Sequence, residues 1–287
     1  MPLESILALA EVNFLTRLVL PFVLATAITA CARHFARGHG TAERREGGAI
    51  VPAFLAAYLA SDGLPSWPPA AADQLLPYLA LAGVLVGSAL DRWPVPRWAE
   101  RLALALWPAV GLGWIVWLAA GRPGAVGAST LVMGAFLWAG SAFALLRLGD
   151  HGRHALDGPL MLLAALGGAG AVSIVTGSAS LGAQAGALAA ATLGVVSGHL
   201  LARAAGNRGR LAMAGALGAG GTATALAALM VRPGGAEPLA LALVLPAFLA
   251  DLALPRRTGP SRPLALLALA LVPAMAAAVL AYALSLP

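Results

Sequence analysis

The chain contains no lysine, only one cysteine and few charged residues of any kind. Asp, Glu, Lys and Arg together make up 10% of its 287 residues, whereas ordinary soluble domains contain about 25%. This scarcity excludes a soluble enzyme, a disordered chain and a nucleic-acid-binding protein. The single cysteine, Cys31, excludes an intramolecular disulfide framework and a CxxC metal or redox site. Without lysine the chain also lacks the phosphate-binding motif of an ATP-driven motor.

Most of the chain consists of apolar residues. Hydrophobic residues make up 60% of the chain, and the mean hydropathy is +0.85. A helical crossing needs about 20 residues, and the alternation typical of a closed barrel is missing. The sequence therefore predicts an all-α, polytopic membrane protein of about ten transmembrane helices, embedded in a lipid bilayer and without a soluble domain. The ten segments are 12–32, 48–62, 74–90, 101–120, 125–147, 158–177, 181–203, 210–231, 238–254 and 263–285.

The positions of the arginines predict how the chain is threaded. Fifteen of the 18 cations fall in or beside alternate connections, and the remaining three are Arg17, Arg122 and Arg232. Connections rich in Lys and Arg face the cytoplasm. We therefore expect a protein of the bacterial cytoplasmic (inner) membrane, with the Arg-rich loops in the cytoplasm and both termini in the periplasm.

A competing interpretation concerns the N-terminal segment. Residues 28–31, Ile-Thr-Ala-Cys, match a lipoprotein cleavage box. Cleavage there would lipidate Cys31 and invert the topology of everything that follows. The arginine distribution opposes this alternative, as do the acidic residues Glu4 and Glu11, because a leader peptide begins with basic residues.

The two halves of the chain differ in composition. Residues 1–147, with helices one to five, contain all seven tryptophans, whereas residues 148–287, with helices six to ten, are rich in Gly and Ala. Five helices in each half would make the halves inverted relative to one another, as in many secondary transporters. In length and helix count the chain resembles the drug/metabolite transporter superfamily. That resemblance covers architecture only, and members of the superfamily usually begin in the cytoplasm, opposite to the orientation predicted here.

Glycines in the second half recur at helical spacing. Gly182 and Gly186 are four residues apart, as are Gly194 and Gly198. Small residues at this spacing allow two helix backbones to approach closely in lipid. We therefore expect helices six to eight to form a tight inner bundle. The alternative is that these glycines only reflect the general abundance of glycine in membrane helices.

Four tryptophans lie on the fourth and fifth helices, at positions 107, 114, 117 and 138. This Trp-rich face predicts a contact with other membrane subunits or with a flat pigment. The alternative is that Trp107, Trp114, Trp117 and Trp138 face lipid or pack within the bundle.

Few residues inside the predicted membrane helices could carry chemistry. Ionisable groups are costly there and are functional candidates by default, which singles out Asp251 and His199. With Gln184, Thr192 and Thr222 they form a candidate path for a substrate or ion. In the alternative view Arg203 or Arg256 pairs with Asp251 or His199, while the amide and hydroxyls hydrogen-bond between helices. We predict no catalytic residue, cofactor or metal site, because no motif of those classes is present.

Two functions follow from this pattern. The first is a secondary transporter, or permease, for a small neutral or weakly polar solute. The second is a non-catalytic scaffold or assembly subunit of a larger respiratory or photosynthetic membrane complex. The scarcity of intramembrane charge favours the second. The polar, Gly-rich helices and the possible inversion of the two halves favour the first.

Overall fold

A computed structural model describes residues 15–36, 47–120, 128–150, 156–201, 211–231, 237–254 and 262–285. Most of these residues are helical and none of them forms a strand, and a helix overlaps each of the predicted apolar segments. The first helix, α1, starts as a π-helix over Leu15–Val19 and continues over Leu20–Ala36. The following helices are α2 (Ile50–Asp62), α3 (Leu75–Arg92), α4 (Arg97–Ala120), α5 (Ala128–Asp150), α6 (Asp157–Val175) and α7 (Ala179–Leu201).

Two of the last three helices are internally irregular. Helix α8 (Met213–Met230) contains a π-helical stretch over Ala216–Gly220. Helix α9 consists of three pieces, which are Glu237–Ala242, a 3₁₀ turn over Leu245–Leu249, and Ala250–Ala253. Helix α10 (Arg262–Ser285) is continuous.

Among the described residues, eight helices are long and apolar enough to cross a membrane. The two others are α2 and α9, which are apolar but shorter. Glycine follows the last residue of α2, and Gly63 has φ of 79° and ψ of −166°, a backbone conformation that residues with a Cβ atom rarely adopt. The architecture is therefore that of an all-helical membrane protein with eight candidate crossings. Ten crossings and an inverted pair of five-helix halves remain predictions.

Helix α10 has small residues on its buried face and large apolar residues on its exposed face. Its buried face is mainly alanine, including Ala270, Ala274, Ala277 and Ala281, whereas Leu264, Val272, Met275 and Val279 are exposed. Ala274 lies directly against Gly168 of α6. Large apolar side chains outside and small ones inside are the reverse of a soluble helix, and they suit a helix that faces hydrocarbon and packs closely on its neighbour.

The inner part of the bundle is formed by α6, α7 and α8. The buried share of their residues is 72%, 56% and 78%, against at most 39% in the other candidate crossings. This agrees with the predicted inner position of helices six to eight. Helix α8 packs against α3, where Gly83 and Gly87 lie against the α8 backbone, and every residue from Leu211 to Thr222 is buried.

Contacts between helix ends are consistent with alternating helix directions. We name the end that holds Arg92, Arg97, Arg101 and Arg147 the Arg-rich end. There Asp91, at the end of α3, accepts hydrogen bonds of 3.1 Å from the backbone N–H groups of Met213 and Ala214, at the start of α8. At the opposite end Arg17, near the start of α1, pairs with Asp62, the last residue of α2. The compartment that each end faces remains a prediction.

Candidate functional site

An apolar cavity lies between α5, α6, α8 and α9. Its volume is about 90 Å³, and it is partly open. Along α5 it extends from Phe136 to Leu148, a rise of about 18 Å. Its wall includes two polar side chains, Ser141 of α5 and Thr224 of α8. The cavity is therefore suited to a small, mainly apolar molecule with at most a few hydrogen-bonding groups.

Both irregular helices border this cavity. Gly220, the last residue of the π-helical stretch in α8, lines it, as do Leu245 and Phe248 of the 3₁₀ turn in α9. Pro246 has no backbone N–H, so it interrupts α9. In α8 the Gly-rich run permits unusual backbone geometry, because glycine has no Cβ atom. Departures from regular helix geometry are frequent at functional sites, and discontinuous membrane helices form the substrate sites of many transporters.

An ion pair lies near the Arg-rich end of this cavity, close in sequence to the lining residues Leu148 and Phe248. Arg147 Nη2, in the last turn of α5, lies 2.6 Å from Asp251 Oδ1, beyond the 3₁₀ turn of α9. Arg147 Nε donates a 3.1 Å hydrogen bond to the carbonyl oxygen of Phe248. The side chains of Arg147 and Asp251 are 21% and 15% exposed. One guanidinium thus fixes both the backbone and a carboxylate of the broken helix to α5.

Among the described residues Asp251 pairs with Arg147, which was not one of the partners that we predicted. Arg203 and Arg256 lie outside the described residues, whereas Arg147, interpreted as a loop arginine, makes the ion pair. Arg147 lies in the final turn of a predicted helix, and this position could have indicated the ion pair, because the side chain of a cation there can turn back toward the bundle. His199 is buried near the Arg-rich end of α7.

The uncharged residues of the predicted path are buried but do not converge on the cavity. The hydroxyl of Thr192 donates to Leu188 O at 2.8 Å, and that of Thr222 donates to Gly218 O at 2.6 Å, so each is satisfied within its own helix. Gln184 is 5% exposed and lies near the opposite end of the bundle. Within the described part of the chain, none of these three lines the apolar cavity.

The predicted glycines pack against two different helices. A Cβ atom at Gly194 would collide with Phe22 O of α1, and one at Gly198 would lie 2.8 Å from Thr26 O. The hydroxyl of Thr26 donates toward Gly194 O at 3.1 Å. Gly186 lies near Leu18, also on α1, whereas Gly182 lies against Ile174 of α6. The close approach is therefore mainly between α1 and α7.

The four tryptophans of the predicted face have different surroundings. Trp107 lies against Gly221 of α8, and Trp114 contacts the rings of Trp67 and Tyr78. Trp117 is exposed, and so is Trp138, whose indole N–H donates a 2.9 Å hydrogen bond to Ala105 O. Trp117 and Trp138 are therefore the members that remain open to lipid or to a partner.

A buried ion pair that the sequence did not predict lies away from the cavity. Arg262, at the start of α10, donates from both Nη atoms to the two carboxylate oxygens of Asp157, at the start of α6, each at 3.0 Å. In the sequence, this pair is indicated only by opposite charges at the starts of two helices that are predicted to begin on the same side.

Neither a protein-family model nor a curated protein nor a solved structure matches this chain.

Proposed function

We propose that the chain is a secondary transporter of the bacterial inner membrane. It carries a small neutral or weakly polar solute through the cavity between α5, α6, α8 and α9. The observation that carries this proposal is the position of the π-helical stretch of α8 and the 3₁₀ turn of α9 at one apolar cavity. In the proposed topology the ten helices form two inverted halves, and the Arg-rich end faces the cytoplasm.

The cavity wall supports a restricted class of solute. Ser141 and Thr224 offer hydroxyl groups, and the hydroxyl of Thr224 already donates to Gly221 O at 2.9 Å. An apolar cavity of about 150 Å³ holds benzene, so a space of about 90 Å³ suits a molecule of only a few heavy atoms. A charged solute would lose its hydration without finding a counter-ion in this wall.

In this proposal the pair Arg147–Asp251 acts as the gate at the Arg-rich end. The pair fixes the last part of α9 to α5, close in sequence to Leu148 and Phe248, which line the cavity. Separation of the pair would free the segment that follows the 3₁₀ turn. The solute would then reach the Arg-rich side, while the opposite side closes as the broken helices change their position.

Cysteine accessibility tests the transporter without a known substrate. Cys31→Ser gives a cysteine-free chain, into which Ser141→Cys or Thr224→Cys is introduced. Each variant is placed in sealed vesicles of known orientation and treated with a charged, membrane-impermeant thiol reagent from either side. We expect both cysteines to react from both sides, because an alternating cavity opens to each.

Two controls delimit this experiment. Ser66→Cys lies in an exposed connection and should react from one side only, whereas Val272→Cys, exposed on the outer face of α10, should be shielded by lipid. Cavity cysteines that react from neither side, in a folded protein whose Ser66→Cys control reacts, would contradict the transporter.

The second candidate function is a subunit of a larger membrane complex. The exposed rings of Trp117 and Trp138 favour it, since exposed tryptophans are typical of interfaces. Extraction in mild detergent followed by mass determination distinguishes the two functions. A particle of one or two copies supports the transporter, whereas stoichiometric additional subunits or pigments support the complex.

A further inference from the structure

We propose that the junction of α1, α2 and α7 binds the hydroxyl group of a small neutral solute at the end opposite to the Arg-rich end. This site is separate from the apolar cavity, which lies between α5, α6, α8 and α9. The proposal therefore does not rest on the transport function. Arg17 of α1, Tyr58, Ser61 and Asp62 of α2, and Gln184 of α7 line a small cavity at this junction.

Arg17 lies in an irregular part of α1. Arg17 is the central residue of the π-helical stretch Leu15–Val19, and such stretches are frequent at functional sites. Its Nη2 lies 2.8 Å from Asp62 Oδ1, and the hydroxyl of Ser61 donates to Asp62 Oδ2 at 2.8 Å. The guanidinium and the carboxylate are thus engaged with each other, and together they contribute no net charge.

Two polar atoms of this junction have no partner among the described residues. They are Arg17 Nε, a donor, and Gln184 Oε1, an acceptor, and both are buried. Gln184 as a whole is 5% exposed. Buried polar atoms are nearly always hydrogen-bonded, and leaving them without a partner is costly. A ligand that satisfies both must present an acceptor to Arg17 and a donor to Gln184.

The charge and size of the site then define the ligand. An anion would meet the carboxylate of Asp62 and a cation would meet the guanidinium of Arg17, so the ligand is neutral. The enclosed space holds about one non-hydrogen atom of the size of a water oxygen. A hydroxyl group offers an acceptor and a donor on one such atom. Because the cavity is partly open, the remainder of the molecule extends outward.

Saturation-transfer NMR with glycerol tests this site in the full-length protein in nanodiscs. We expect a saturable signal with the wild-type protein. Gln184→Met, which keeps the size of the side chain but removes the acceptor, should weaken glycerol binding about fivefold, the effect of one hydrogen bond. Arg17→Lys, which keeps the charge opposite Asp62 but lacks Nε–H, should weaken glycerol binding similarly. This second variant tests the site independently if Gln184→Met does not fold.

Two further measurements make the result specific. Ala144→Phe fills the apolar cavity of α5, α6, α8 and α9 and should leave glycerol binding unchanged. Glycerate, which adds a carboxylate to the same hydroxyl chemistry, should give no saturable signal.

The proposal is overturned if wild-type protein gives no saturable glycerol signal, if glycerate binds as well as glycerol, or if both junction variants, correctly folded, bind glycerol like the wild type. None of these results affects the cysteine-accessibility test of the transporter, so the two proposals fail separately.

Discussion

Asp157 and Arg262 join the first turns of α6 and α10 through two parallel hydrogen bonds of 3.0 Å. Their side chains are 5% and 13% exposed, so neither charge has much access to water. This bidentate geometry is the strong form of the arginine–carboxylate interaction. It holds together two helices whose contact surface includes the small apolar residues Gly168 and Ala274.

The first prediction concerns this ion pair. Asp157→Asn should lower the free energy of unfolding by about 3–5 kcal/mol, because it leaves the guanidinium of Arg262 buried without its counter-charge. Reversible unfolding in mixed detergent measures the loss. The matched control is Asp150→Asn, which breaks the pair Arg101–Asp150, whose side chains are 62% and 47% exposed, and should cost less than about 1 kcal/mol. Equal losses in the two variants would contradict this account.

The second prediction concerns the gate. In the Cys31→Ser, Ser141→Cys background, Asp251→Asn should raise the rate of thiol labelling from the Arg-rich side about tenfold. This corresponds to a decrease of about 1.4 kcal/mol in the free energy needed to open the gate. The reason is that Asp251 then loses its charge opposite Arg147, 2.6 Å away. Asp150→Asn serves as the control. A labelling rate that does not change in folded protein would show that the pair does not close the cavity.

The third prediction concerns the contact between α1 and α7. Gly194→Ala should destabilise the protein by about 1–3 kcal/mol, the usual cost of overpacking, because the added methyl group collides with Phe22 O. Gly167→Ala is the control, since a Cβ atom there meets nothing within 4 Å, and alanine should stabilise the helix by up to about 1 kcal/mol. Thermal denaturation of the two variants gives the ranking, and the reverse order would be incompatible with the packing described.

The fourth prediction concerns the start of α8. Asp91→Ala should cost about 0.5–2 kcal/mol, the usual range for the loss of a helix N-cap, because Asp91 accepts the backbone hydrogen bonds of Met213 and Ala214. Hydrogen exchange should accelerate at these two amides first. Asp73→Ala provides the comparison, since Asp73 accepts the N–H of the adjacent Gln74. Unchanged protection at Met213 would mean that Asp91 does not cap α8.

The sequence predicts the location of the helices well because apolar blocks and their polar boundaries are local signals. The predicted segment 158–177 corresponds to α6 (Asp157–Val175), and even the shorter segment 48–62 contains a helix. Whether α2 and α9 complete a crossing depends on the surrounding bilayer and neighbouring helices, which no local pattern specifies.

Side-chain partners were harder to predict because they depend on which helices become neighbours. Arg147 and Asp251 are 104 residues apart, and nothing local to either residue identifies the other. Thr192 and Thr222 have the composition expected of a polar path, yet a threonine hydroxyl can also bond to the preceding turn of its own helix, as both do. The spacing of Gly194 and Gly198 predicts a close contact but cannot name α1 as the partner.

The short length of α2 has a consequence for the membrane itself. Its 13 residues rise about 20 Å, whereas the hydrocarbon layer is about 30 Å thick. If α2 crosses the membrane, as the proposed ten-helix topology requires, the bilayer beside it must become thinner, which costs a fraction of a kcal/mol per Å of mismatch. The protein should therefore create a local thinning of the bilayer on one flank. It should also partition toward thinner membranes, and lipid chain length should influence α2 before it influences the longer helices.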